Sequence, residues 1–214
     1  MKTGPFDKYA NAYDAWFDKN PFAYTSELQA VAGMLPKRGL GIEIGVGTGR
    51  FAVPLGIKAG VEPSKAMGAI AQQRGIRVIR GVAESLPIAD ASFDFALMVT
   101  TLCFLDDVEA SFRQAHRVLK EKGALILGFV DRDSHLGRSY LRRRTDSLFY
   151  REARIYGVGE VTGLLETAGF TKFVCMQTIF EEPHRMLAPD PARPGHGEGL
   201  FVVLRGTKWG EDSQ

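Results

Sequence analysis

The densest run of chemically suggestive residues is Ile42-Glu43-Ile44-Gly45-Val46-Gly47-Thr48-Gly49-Arg50, in which three glycines alternate directly after an apolar stretch. Without a Cβ, glycine lets the chain turn tightly and lets a ligand approach the backbone, so a strand opening into such a loop suits a cofactor. A glycine-rich turn also has a purely steric reading, and its meaning depends on its context. Nineteen residues after Glu43 stands Glu62, in Gly60-Val61-Glu62-Pro63-Ser64. A carboxylate at the end of a second strand can accept hydrogen bonds from both hydroxyls of a ribose, which points to an adenosine-type ligand.

Two cofactor chemistries compete for this arrangement. Dinucleotide folds use G-x-G-x-x-G, so that a pyrophosphate rests on a helix N-terminus. Here the pattern is G-x-G-x-G, with Arg50 where the last glycine would fall and Glu43 beside the loop. An acid there opposes a pyrophosphate but suits a ligand bearing an ammonium and a sulfonium, which disfavours a nicotinamide-dependent oxidoreductase.

At these residues the chain resembles the class I S-adenosylmethionine (SAM)-dependent methyltransferases, particularly those of ubiquinone and menaquinone biosynthesis. The resemblance runs from F-D-x-Y-A-x-x-Y-D at 6–14 through E-x-G-x-G-x-G at 43–49, V-E-P-S at 61–64, G-x-A-E-x-L-P at 81–87, S-F-D at 92–94 and V-L-K-x-x-G at 118–123. It implies that Gly45, Gly47 and Gly49 shape the loop around the methionine part, that Glu43 supports its amino group, and that Glu62, with Pro63 and Ser64, holds the ribose. It also places adenine near Ala83 and Glu84, although Val82 stands where the family commonly has an adenine-reading Asp. Thr100, after the fourth strand, completes the expected cofactor set. The reaction implied is transfer of the sulfonium methyl to a small acceptor, with S-adenosylhomocysteine as product.

Displacement at a sulfonium has an excellent leaving group, so positioning supplies much of the catalysis and a base is needed only for a protonated acceptor. The catalytic candidates are Tyr13, one helical turn from Tyr9, and His184, in a proline-rich segment. No metal-ligand pattern is present. Cys103 lacks the flanking residues of a methyltransferase thiol nucleophile, and Thr100-Thr101-Leu102-Cys103 departs from the Asn/Asp-Pro-Pro-aromatic motif of enzymes that methylate amino groups of bases or glutamine.

The elements that position these residues follow from periodicity. Helices are expected over Phe6 to Trp16 and Pro21 to Met34, before the first strand at Leu40 to Ile44. Then come a helix from about Thr48, strands Ile57 to Val61 and Ile76 to Ile79 around a helix Ser64 to Arg74, and strand Phe93 to Val99. A helix near Asp107 to Leu119, strand Ala124 to Val130, helix Val158 to Ala168 and strands Phe170 to Phe180 and Leu200 to Arg205 complete the series. This order predicts an α/β, Rossmann-like, doubly wound and mostly parallel seven-stranded sheet, with an antiparallel last strand and N-terminal cap helices. One SAM-binding domain is expected over 1–214, with a helical cap at 1–36, a cofactor-binding half at 37–131 and a substrate-side half at 132–214.

With 27 Lys and Arg against 25 Asp and Glu, the net charge of +2 makes no field that demands a polyanionic partner. Cys103 and Cys175 suit reduced thiols of a cytoplasmic protein, and no stretch approaches the roughly 20 apolar residues of a membrane span. A small-molecule substrate is therefore expected, with no nucleic acid or membrane partner, acting as a monomer or homodimer. Two alternatives remain open: an RNA methyltransferase using the Arg-rich segment 138–154, and a SAM-binding protein without catalysis.

Overall fold

The computed structural model describes residues 3–143, 148–151 and 153–210, and eight strands among them form a single sheet in the order β3-β2-β1-β4-β5-β8-β6-β7. Strands β1 (Gly41–Ile44), β2 (Ala59–Glu62), β3 (Arg77–Arg80), β4 (Phe93–Val99) and β5 (Leu119–Val130) pair in parallel. β6 (Phe170–Thr178) runs in the same direction, and β8 (Phe201–Lys208) lies antiparallel between β5 and β6. The eighth strand is β7, two residues long (Arg193–Pro194) on the outer edge of β6, too short to leave an alternating pattern in the sequence.

Helices cover both faces. On one side α1 (Gly4–Lys19), α2 (Pro21–Met34) and α3 (Lys65–Gln73) bury Phe17, Ala30, Val31 and Ala71 against the sheet. On the other, α4 (Val108–Val118) and α6 (Val158–Thr167) bury Phe112, Ala115, Val161 and Leu165. Burial on both faces leaves every residue of β1 buried, Glu43 included, and explains why β4 is apolar at every position but Asp94 rather than alternating. Asp107 and Ser64 cap α4 and α3, each accepting from the backbone N–H three residues on.

The helix expected from Thr48 is absent. Residues 48–56 form successive turns, in which Val53 N–H reaches Gly49 O and Ile57 N–H reaches Ala52 O. Pro54 has no N–H to continue a helical ladder, so the apolar spacing of Phe51, Ala52 and Leu55 buries side chains without a regular helix. α5 (His135–Arg143) follows β5 in the segment read as polar and Arg-rich, while Arg144, Asp146 and Glu152 and the Arg143 side chain lie outside the described residues.

Cap and sheet are locked together by charge. Arg50 and Arg74 both donate to Asp14 of α1, at 2.6 to 2.9 Å, and Arg50 also reaches Asp18. Burial pushes the Asp14 carboxyl up, but the two guanidinium groups outweigh it and hold the acid well below the usual carboxylate range. A depressed folded-state pKa stabilises the fold above the unfolded carboxylate value and loses that contribution as pH falls through the folded one. Asp14→Asn should therefore cost about 2 kcal/mol at neutral pH, the scale of a hydrogen bond to a charged group. In denaturant titrations followed by circular dichroism, the gap from wild type should narrow as pH drops below about 4.

Candidate functional site

Because β1, β2, β4 and β5 are parallel, the segments leaving Ile44, Glu62, Val99 and Val130 emerge along one edge, and the strand order reverses between β1 and β4. Open α/β sheets bind ligands at this edge, at such a switch point. The glycine loop lies there, with φ of +77° at Gly45 and +55° at Gly47. At Gly45 the reason is packing: a Cβ would stand 2.4 Å from Thr101 Oγ1. At Gly47 the nearest protein atom to such a Cβ is Met67 Cε at 3.4 Å, so the protein leaves the space beside this residue nearly free.

Glu62 closes the loop from below. Its Oε2 accepts from Gly47 N–H and its Oε1 from Ser64 N–H, both at 2.8 Å. Burial pushes the Glu62 carboxyl up, and these two N–H groups pull it back only in part. Glu43 lies deeper, 2% exposed, with the Ala52 N–H as a hydrogen-bond donor. Its Oε2 has no partner among the described residues, and burial drives its carboxyl well above the ordinary range. Ser64 donates to Asp7 Oδ1 at 2.7 Å, which ties the start of α1 to the loop after β2. Pro63 lies between these two anchored residues, half-buried.

Ala83 is buried, and Glu84 accepts from Asp106 N–H at 2.9 Å. Residues 82–85 make a turn closed by a Val82–Ser85 bridge, and the Glu84 Oε2 is buried without a partner among the described residues. Thr100 has φ of +51°, a left-handed conformation that costs a non-glycine residue of order 1–3 kcal/mol and that concentrates at functional sites. Its Oγ1 is 3.3 Å from the Tyr13 hydroxyl.

Two spaces meet at that Tyr13–Thr100 contact. One is a recess of about 40 Å³ bounded by Gly45, Gly47, Glu62 and Met67 and roofed by Phe6, Tyr13 and Phe104. The other is a cavity of about 380 Å³ enclosed by Tyr13, Trp16, Phe17, Tyr140 and Tyr150, with Glu27 from α2 and Glu182 and His184 from the segment after β6. Aromatic rings seal the boundary, with Phe6 edge-on to Tyr13 and Phe104 and stacked on Phe149, at 4.9 to 5.8 Å between ring centres.

This geometry sorts the sequence candidates. Tyr13 lies at the junction, and burial pushes its phenol far above the ordinary value, so its hydroxyl stands there in the neutral form. His184 is exposed at the cavity rim, and Tyr9 faces away from the junction at a kink in α1. His116 packs against Phe170, distant from the edge, and burial lowers its pKa. The Arg-rich segment is partly neutralised: Arg154 pairs with Glu160 at 2.7 Å and stacks over Tyr156. Glu27, the roofing by Phe6 and Phe104, and the Arg50–Asp14 clamp escaped sequence reasoning. Only Glu27 carried a signal, as an acid on the helical face of Ala23, Ala30 and Val31.

The methyltransferase-domain profile matches residues 42–127, from β1 into β5. A SAM-dependent methyltransferase of Thermotoga maritima, described as a possible histamine N-methyltransferase, is 52% identical, with 97% of this chain and all of that one aligned at a TM-score of 0.94. This chain belongs to the class I SAM-dependent methyltransferases. The methyltransferase is also 45% identical to an uncharacterised protein of Methanocaldococcus jannaschii, over 95% of this chain and 98% of the relative. Further off, it is 29% identical to an uncharacterised methyltransferase of Bacillus subtilis, over 71% of this chain and 65% of that one.

The donor set fits the cofactor that the family uses. Carboxyl groups at Glu62 and Glu43, both raised by burial, are served by a ligand that brings positive charge, and the space at Gly47 admits a ligand against the backbone. Among the described residues no group of three or more His, Cys, Asp or Glu could hold a metal ion, and no helix is long and apolar enough to cross a membrane.

Proposed function

We propose that the methyltransferase binds SAM in the recess between Gly47 and Glu62 and passes its methyl group across the Tyr13–Thr100 boundary to a small molecule in the neighbouring cavity. The observation that carries this reading is that the two spaces share Tyr13 and Thr100. In-line displacement requires the sulfonium carbon and the acceptor atom to meet at one point, and a shared wall creates it. Glu62 engages the ribose, Pro63 and Ser64 frame it, and Ala83 and Glu84 border the adenine. Glu43 lies behind the loop, where a cationic ligand would favour the ionised form that burial opposes. SAM supplies the electrophilic methyl, and the chain binds, orients and excludes water.

The recess as it stands is smaller than an adenosyl group, because the Phe6 and Phe104 rings occupy its roof. Phe6 lies on the short turn of α1 that precedes the break at Tyr9, where φ is −126° and ψ is +29°. That segment swings about Tyr9 to admit the cofactor. Backbone amides of residues 6–9 should then change hydrogen-exchange protection when S-adenosylhomocysteine is added, while those of β4 stay unchanged.

The cavity is enclosed largely by aromatic rings and suits an acceptor with a flat or apolar body. Such an acceptor is in keeping with the amine named for the Thermotoga maritima relative. Incubation with methyl-tritiated SAM and a panel of small aromatic amines, phenols and carboxylates tests the function. Transfer of label to a panel member supports it, and labelling only of added RNA would contradict the small-molecule acceptor. Tyr13→Phe should leave cofactor affinity within about twofold and lower turnover about tenfold, the loss of one positioning hydrogen bond.

A further inference from the structure

Glu27 lies outside the recess assigned to the cofactor, yet it is one of the few buried acids among the described residues. It lies on α2 and is 7% exposed, and its carboxyl borders the acceptor cavity. Among the described residues no hydrogen bond or ion pair reaches it, and burial alone governs its titration. The groups that face it electrostatically are phenols: Tyr13 on α1, Tyr24 on α2, Tyr140 on α5 and Tyr150 beyond it. Burial raises all four above their ordinary value, so each is neutral. The other titratable groups on the cavity wall are Glu182, a second acid, and His184 at the exposed rim. Among the described residues no lysine or arginine borders the cavity.

A buried carboxyl on the wall of an aromatic cavity, with no cation among the described residues there, is complementary to a ligand that carries one. The rings of Tyr13, Trp16, Phe17 and Tyr140 add faces that attract the same charge. Resting on the reading of this cavity as the acceptor site, we propose that Glu27 binds the amino group of the methyl acceptor, a primary or secondary amine on an aromatic body. Glu27 then removes the proton which that nitrogen must lose before it can be methylated.

The chemistry balances. An alkylammonium has no lone pair, so it first passes one proton to ionised Glu27, leaving a neutral amine and a neutral carboxylic acid. The amine lone pair forms the new nitrogen–carbon bond while the carbon–sulfur bond breaks and its electrons pass to sulfur. The product leaves as the N-methylated ammonium, and the proton held by Glu27 returns to solvent. A carboxyl raised to about 8 by burial is a stronger base than an exposed one, which narrows its gap to an alkylammonium.

The test uses the full chain saturated with S-adenosylhomocysteine, titrated calorimetrically with histamine, 2-phenylethylamine and tryptamine, and with 2-phenylethanol as the neutral control. At least one amine should bind. Glu27→Gln, which keeps the size of the side chain, should weaken that amine tenfold or more while leaving S-adenosylhomocysteine within twofold. In the wild type the amine should bind about tenfold more tightly per unit of pH as pH rises towards 8, and the alcohol should show no such slope. The pH slope decides the matter without a variant if Glu27→Gln does not fold. Wild-type amine affinity in Glu27→Gln, a flat pH profile, or failure of every amine to bind the saturated chain would overturn the proposal. Failure of S-adenosylhomocysteine itself to bind would instead overturn the cofactor reading.

Discussion

Gly47→Val should abolish measurable binding of SAM and S-adenosylhomocysteine, a loss of at least a hundredfold. At φ of +55° a β-branched residue is strained, and its Cβ would enter the space that the protein leaves beside the loop. The same backbone carries the N–H that Glu62 holds at 2.8 Å, so any shift to relieve the strain also dismantles the ribose platform. Met67 Cε, at 3.4 Å, is the end of a flexible side chain and can give way, so the variant should fold with reduced stability. Calorimetric titration checks the affinity and thermal unfolding checks the fold. Gly45→Val should behave differently, because its Cβ would collide with Thr101 at 2.4 Å: its main effect is on folding.

Glu62→Ala carries the second largest expectation. Loss of a charged acceptor for the ribose should weaken SAM by about 1–3 kcal/mol, roughly five- to 150-fold. Gly47 and Ser64 would also lose the oxygens that accept their N–H groups, so the loop after β1 and the turn after β2 should loosen together. Glu62→Gln separates the two contributions: its single amide oxygen keeps one acceptor and adds a donor, and it should retain the fold better than affinity. Equal affinity for SAM in wild type and Glu62→Ala would remove Glu62 from the cofactor site.

Much of this architecture was legible in local patterns. β4 spans Phe93–Val99 and α2 spans Pro21–Met34, the bounds expected, because a strand buried on both faces is a nearly unbroken apolar run and Pro21 and Pro36 bracket the apolar helix. The glycine loop was legible because three alternating glycines have few other uses at the end of a strand. The turns at 48–56 were not, since Phe51, Ala52 and Leu55 bury at helical spacing while Pro54 interrupts the ladder. Nor were contacts that join distant segments. Arg50 meets Asp14 from 36 positions away, and Ser64 meets Asp7 from 57, and nothing in either neighbourhood names the partner. Tyr13 stood out by its helical spacing from Tyr9, but its junction with Thr100, 87 positions away, exists only in three dimensions.

The central claim is that SAM occupies the recess at Gly47 and Glu62 with its reactive end toward Tyr13 and Thr100. A crystal structure of the complex with S-adenosylhomocysteine tests it most directly. The account predicts the ribose hydroxyls on the Glu62 carboxylate, the sulfur at the Tyr13–Thr100 boundary, and the Phe6 ring displaced from its contact with Phe104. A bound ligand that leaves Glu62 untouched, or one seated away from the carboxyl edge of β1 and β4, would contradict it.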